Sequence, residues 1–548
     1  MKKCLRNHII CLLMIALFAV PAQASLENQV IRVGLFYGST ALPTANLENS
    51  DGNGYRFGYF EGDGSFVNLG STVETQISML KTQNIYLKGG AYYITNPGSP
   101  EGLIGCYHIQ LPGNYADYAA AKAAADGYAG GFPAWISGQY TVRVGAYGTR
   151  DEAVAAQSDR GLEGSIVGTS SNGISVTKTK TTTVLFQFDS GGSEIFAVRP
   201  GLDDSVKTTT WFKGYRYYGD FLYERVDGGD LVVCNRVGLD DYAKGVVPHE
   251  MSPSWPIEAL KAQAVASKNY ALTISASKHS KYHFDVCNST CCQVYRGRNN
   301  ASETSDRSVD ETRGVFVWYD GKLAETYYYA SNGGASEDVK NVWGTSYPYL
   351  LGVKDPYEES LSSSIYNYSW TVTYTPAQLT SRLQARGYSL GNVTSLKVTQ
   401  FTALGNVFSI EVKDENGKTQ LFTRERARTI LGLNSMRFQI SGSSSGAAGY
   451  YVDGSGQTIT DLSGAWVIGG DGKTTQLGGS SGYYAITPSG TGLLQSSSST
   501  ETPGTFTITG SGNGHHVGMS QWGANAMAKQ GFGYQDILRF YYAGIDIY

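Results

Sequence analysis

Glu250 is the residue whose setting most suggests chemistry. It lies in GVVPHEMSPSWP, between Val246, Val247, Met251 and Trp255. A carboxylate among apolar neighbours loses hydration, which disfavours its charged form. A carboxyl that stays protonated near neutral pH is what a glycosidic general acid requires. The same residue, ahead of a helix-forming stretch, also fits a capping or helix-dipole group. A second concentration of reactive groups follows: Cys287, Cys291 and Cys292 crowd into six residues, with His279 and His283 just upstream.

The elements that must position these groups follow from length and composition. The 548 residues allow roughly three or four domains. A charged fraction of 16% and a net charge of -4 lack the basic stripe that nucleic acid requires. Abundant Gly (68) and Tyr (39) point to turn-rich β structure, and the fold class expected is α+β and multidomain. Tyrosine rings suit sugar faces, though most tyrosines simply populate strands.

Lys2, Lys3 and Arg6 precede the apolar run Ile9–Val20 and the small-x-small pattern Ala22-Gln23-Ala24, which reads as a signal peptide over 1–24. An exported protein is expected, with no membrane span after signal removal. Five cysteines then remain, an odd number for a disulfide framework.

Residues 25–100 alternate and turn like a small β domain. Residues 101–178 give the order β-α-β-β-α-β, with Thr149 as N-cap of the second helix and Asp151 and Glu152 in its first turn. Residues 179–440 form a larger α+β region with one long helix after Pro256, its buried face marked by Ile257, Leu260, Ala264, Val265, Lys268 and Leu272. Residues 441–504 are a Gly/Ser-rich β insertion with linkers, and 505–548 return to complete the preceding domain.

Two resemblances add to this. GQYTVRVGAYGTRDEAVAA resembles the sporulation-related repeat (SPOR) domain, which implies binding to glycan strands stripped of stem peptides. LDDYAKGVVPHEMSPSWPIEALKAQAVASKNYAL resembles the signature of the stage II sporulation protein D and amidase-enhancer family. FDVCNSTCCQVYRG, ETYYYASNGGASEDVKNVWG, YPYLLGVKDPY and GNGHHVGMSQWGANAMAKQG follow in that family's order.

The family resemblance implies a lytic transglycosylase cleaving peptidoglycan glycan strands to 1,6-anhydromuramyl products, with Glu250 catalytic. One carboxylate can suffice because the sugar's own C6 hydroxyl attacks, whereas ordinary glycosidases need two. The resemblance also makes Gln293, Tyr295, Ser331, Asn332, Glu337, His515, Ser520 and Gln521 candidates to hold substrate. Each is equally a loop-stabilising polar group.

The chain departs from the family pattern at three places. Cys291-Cys292 stands where His-Cys is common, Asn332 where Ser is usual, and Gly514-His515-His516 where the family reads Gly-His-Gly. The first touches a site that binds zinc in some relatives. Cys287, Cys291, Cys292 and His279 (or His283) supply a ligand set for one structural zinc, and a Cys287–Cys292 disulfide is the competing reading. The alternative functions are a non-catalytic wall-binding enhancer of a cell-wall amidase and a zinc-dependent hydrolase.

Overall fold

The computed structural model describes residues 26–49, 52–274, 278–441 and 504–548, together with the backbone of six short strands between 450 and 494. The signal-peptide stretch and the linkers of the Gly/Ser-rich insertion lie outside the described residues. The fold is α+β and strand-rich. It divides into two compact units: one runs to Thr326 and takes in Phe532–Gln535 and Ile545–Tyr548, and the other comprises Tyr327–Gly531 and Asp536–Gly544.

The first unit is built on two sheets. One has seven strands, in the order Val286–Cys287, Val30–Phe36, Val232–Gly238, Asp220–Glu224, Phe196–Pro200, Tyr55–Phe60, Phe66–Thr72. The other has ten, and its centre joins Gly131–Ile136 to Val184–Asp189 in parallel. Both sheets cross the positions 100 and 178, so strands far apart in sequence share one core. Phe57 from the first sheet stacks on Phe186 from the second, with ring centroids 5.5 Å apart.

The β-α-β-β-α-β run appears in the expected order. Its strands Tyr107–Gln110, Gly131–Ile136, Gln139–Tyr147 and Ser165–Gly168 line up as fourth, first, third, second. That is the split βαβ arrangement. Two helices serve it, α1 (Tyr118–Asp126) and α2 (Arg150–Asp159). Thr149 caps α2 in a full capping box: its side chain accepts from Glu152 N–H, and Glu152 accepts from Thr149 N–H. The hairpin between the middle strands turns on Ser137 and Gly138, both at positive φ (47° and 88°), as a two-residue hairpin turn demands.

Two further helices carry the region of interest, α3 (Leu239–Glu250) and α4 (Ile257–Thr273). Helix α3 buries Leu239, Tyr242, Val246 and Val247. Gly245 lets the Tyr295 ring lie against its backbone, since a Cβ there would meet Cε2 at 2.4 Å. Pro248 has no N–H for the Lys244 carbonyl, and Arg298 Nη1 reaches that oxygen at 3.4 Å.

Helix α4 is buried on more than the one face expected. Ala259 through Ala271 are all buried except Lys261, as befits a helix at the centre of a large domain. Within it, Lys268 is fully buried and donates to the Thr312 carbonyl. Asn269 fastens the strand Val317–Tyr319 by bonds with both Val317 N–H and Val317 O.

In the second unit, Phe506–Ser511 is the middle strand between Ser369–Tyr374 and Phe438–Ser441. The segment after the insertion thus returns to pair with the segment before it. The insertion itself shows three hairpins, and the strand cues AWVIGG and YYAITP fall in Trp466–Ile468 and Tyr483–Thr487.

Candidate functional site

Glu250 is the last residue of α3, and the next helix begins only at Ile257. It caps neither. A carboxylate at a helix C-terminus sits where the macrodipole favours a cation instead. The side chain is held from elsewhere: Oε1 accepts the Val294 N–H at 2.7 Å, and the residue is partly exposed. The helix-dipole reading therefore does not account for this position.

The segment that holds Glu250 also carries the thiols. The donor atoms of His279, Cys287, Cys291 and Cys292 all lie within 4.8 Å of one another. His279 Nε2 is 3.4 Å from Cys292 Sγ. Zinc bonds of about 2.3 Å to sulfur and 2.0–2.1 Å to nitrogen, arranged tetrahedrally, put donors about 3.5–3.8 Å apart, a spacing this cluster reaches by small side-chain shifts. The donor set thus fits a closed Cys3His zinc site. His283 is engaged instead by Glu224, 2.8 Å from Nδ1. The five described cysteines are free thiols in this structure. Lys278 Nζ donates to the Cys291 carbonyl at 2.6 Å, tying the loop that presents it.

Glu250 and the thiol cluster share surroundings. The hydrogen bond from the Cys292 thiol holds Cys287 down to about 4, while the same shared proton and burial push Cys292 up. Burial pushes the phenols of Tyr242 and Tyr270 up, with the charges of Cys292 and Glu250 adding to it. Both phenols therefore remain protonated donors. Tyr242 uses its hydroxyl on Gln293 Oε1 at 2.6 Å, and Tyr295 donates to Asn235 Oδ1 at 2.5 Å. Gln293 and Tyr295 are each about 1% exposed, so they brace the segment bearing Cys292 and Val294 from inside.

The other candidates sit in the second unit, around a carboxylate that nothing in the sequence singled out. Glu358 is buried and accepts from Ser331 Oγ, Ser520 Oγ, Asn332 N–H and Gly333 N–H. Burial pushes its pKa up, against those hydrogen bonds. Asn332 spans two partners, donating from Nδ2 to Asp355 and accepting the Gly334 N–H on Oδ1. A serine could not reach both. Glu337 is likewise saturated, by Thr402, Asn406, Asn341 and the Asp338 N–H.

Gln521 opens the helix that Ser520 caps and is 7% exposed. His515 accepts the Val517 N–H on Nδ1, and burial holds its pKa down to about 4. His516, at the position where the family pattern has Gly, has φ of 64°. That left-handed backbone explains a Gly preference there. Ser331, Asn332, Glu337 and Ser520 thus shape buried loops in this conformation.

The sequence comparisons agree with this arrangement. Residues 227–319, spanning α3, α4 and the thiol cluster, match the stage II sporulation protein family model. An uncharacterised protein of Brachyspira hyodysenteriae is 29% identical over 65% of this chain and 78% of its own length. The amidase enhancer of Bacillus subtilis is 30% identical over 56% of this chain, which spans only 40% of that protein. Stage II sporulation protein D of Bacillus subtilis is 27% identical over 57% of this chain and 74% of its own length. The matched segment coincides with the helices and loop around Glu250, and there the chain is similar to the stage II sporulation protein D and amidase-enhancer family.

Proposed function

We propose that this protein is an exported cell-wall enzyme, a lytic transglycosylase acting on peptide-stripped glycan strands, with Glu250 as acid and base. The observation that carries the reading is the Glu250 carboxyl: partly exposed, capping no helix, and aimed by the Val294 N–H. Its proton passes to the glycosidic oxygen as the C1–O bond breaks. The resulting carboxylate then takes the proton of the muramic C6 hydroxyl while O6 closes on C1. Every atom of the strand is kept, and no water is consumed. Tyr242, Gln293 and Tyr295 hold the Val294 segment so that the carboxyl keeps its aim.

In this reading a zinc ion on His279, Cys287, Cys291 and Cys292 is structural, a clip on the loop that ends at Val294. The split βαβ region is a glycan-binding module that concentrates the enzyme on its substrate. A role in sporulation or cell-wall remodelling accords with the relatives' names. Among the described residues, no helix is long and apolar enough to cross a membrane.

The test is digestion of stem-peptide-free strands by the mature protein and by Glu250→Gln, with products read by mass spectrometry. Anhydromuramyl ends from the unaltered protein alone support the reading, and reducing ends overturn it. The likeness to an amidase enhancer favours one second reading, a wall-binding activator of an amidase. That reading expects strand binding without cleavage, and stimulation of an amidase that Glu250→Gln preserves.

A further inference from the structure

A cleft of about 550 Å³ lies wholly within the second unit. Its floor is the outer face of the sheet Ser369–Tyr374, Phe506–Ser511, Phe438–Ser441. The sequence alternation turns Trp370, Phe438, Phe506 and Ile508 into the core and leaves hydroxyls and an amide outward. Across the strands Ser369 faces Ser511, and Thr371 and Gln439 both face Thr509. Phe401 stands at the rim, 48% exposed.

Arg437 lines the same cleft. Its Nη1 donates to the Leu404 carbonyl at 2.9 Å, which fixes the guanidinium. No carboxylate among the described residues comes within 4 Å of it. Gly334 lies beside the guanidinium on its Nε/Nη2 side, where a Cβ would stand 3.5 Å from both nitrogens. Glu337 attracts the guanidinium from a distance, and that carboxylate is already taken up by its own four donors. A partly buried, positionally fixed guanidinium with no carboxylate in direct contact is matched by a planar carboxylate, which it can bind through two parallel hydrogen bonds. The hydroxyl floor and the aromatic rim suit a sugar ring rather than an apolar ligand.

We infer that this cleft is a second glycan subsite, in which Arg437 holds the carboxylate of an acidic sugar while Phe401 and the Thr371–Thr509–Gln439 face hold its ring. On the proposed function, on which this identification rests, that sugar is a muramic residue. Removing its stem peptide frees the lactyl carboxylate, so Arg437 reads the stripped state of the strand.

The test measures binding to the mature protein of N-acetylmuramic acid, of N-acetylglucosamine (the same ring without the lactyl group) and of N-acetyl-D-alanine. Expected is a preference for N-acetylmuramic acid of about tenfold over both, the range of a charge-assisted bidentate pair. Arg437→Gln abolishes the preference, and Phe401→Ala, at an exposed side chain, weakens both sugars alike with an unchanged melting point. An unchanged sugar preference in folded Arg437→Gln overturns the subsite. N-acetyl-D-alanine binding as well as N-acetylmuramic acid also overturns it, in favour of a peptide carboxylate. Should Arg437→Gln unfold, Arg437→Lys replaces it: the charge without the fork must lose most of the preference, and retention counts against the subsite. Anhydromuramyl production is scored separately, so failure of the catalytic reading leaves this binding result standing, and the reverse.

Discussion

Oε1 of Glu250 accepts the backbone N–H of Val294 at 2.7 Å, joining the end of one helix to a loop 44 residues further along. The carboxyl is thereby positioned by main chain, and two residues before that anchor stands Cys292, a member of the thiol cluster. Candidate acid/base and candidate metal clip are mechanically one piece.

Glu250→Gln keeps an oxygen for the Val294 N–H but cannot deliver a proton. Strand cleavage should fall by roughly 10²–10⁴ while stability changes by about 0.5 kcal/mol or less. Glu250→Ala should lose the activity and also about 1–3 kcal/mol, because the N–H loses its acceptor. Product analysis and urea denaturation separate the two. Wild-type turnover by the Gln variant would remove Glu250 from the mechanism.

The purified protein should carry one zinc per chain by elemental analysis. Chelation should lower the melting temperature of the first unit, by roughly 1.5 °C for each kcal/mol lost in a unit of this size. Cys292→Ser should reproduce the shift without chelator. Metal-free protein with an unaltered melt would assign the cluster to thiol chemistry instead.

His108 is about 1% exposed, its Nδ1 beside the Gly145 carbonyl and its Nε2 beside Gln187. Burial pulls its pKa down to about 4. The unfolded chain takes up this proton below about pH 6.5 and the folded chain does not, so stability is present above that pH and declines as pH falls toward 4. The span corresponds to a few kcal/mol. His108→Gln should flatten this part of the acid limb in denaturation series between about pH 7 and pH 4. An unchanged slope would mean that the ring protonates in the folded state.

Glu358→Ala should be among the costliest single changes in the second unit. It strands two hydroxyls and two backbone N–H groups around a buried site, at about 3 kcal/mol or more. Glu358→Gln should cost less, since an amide oxygen still accepts. Calorimetry that finds the two variants equal would place the stabilisation in packing.

Local patterns were legible where a short stretch of sequence decides the outcome. Thr149 and Glu152 form their capping box with each other, and Ser137-Gly138 makes its hairpin turn from backbone preferences alone. Glu250 stood out through apolar neighbours, and Cys287, Cys291 and Cys292 through their crowding, which only the family resemblance turned into a ligand set with His279. Glu358 carried no such sign. Its partners Ser331 and Ser520 are 27 and 162 residues away, and only folding brings them to it.

What the sequence determined by itself was therefore the α+β class, the order of the split βαβ run, the family likeness and which side chains are candidates for chemistry. The tertiary structure alone decided that Val30–Phe36 pairs with Val232–Gly238, that Val294 aims Glu250, and that Tyr295 and Asn332 serve as buried braces. The reason is physical. Periodicity and capping are read within one or two turns of chain, whereas strand partners and buried hydrogen bonds are chosen by long-range burial, to which distance along the sequence is no guide.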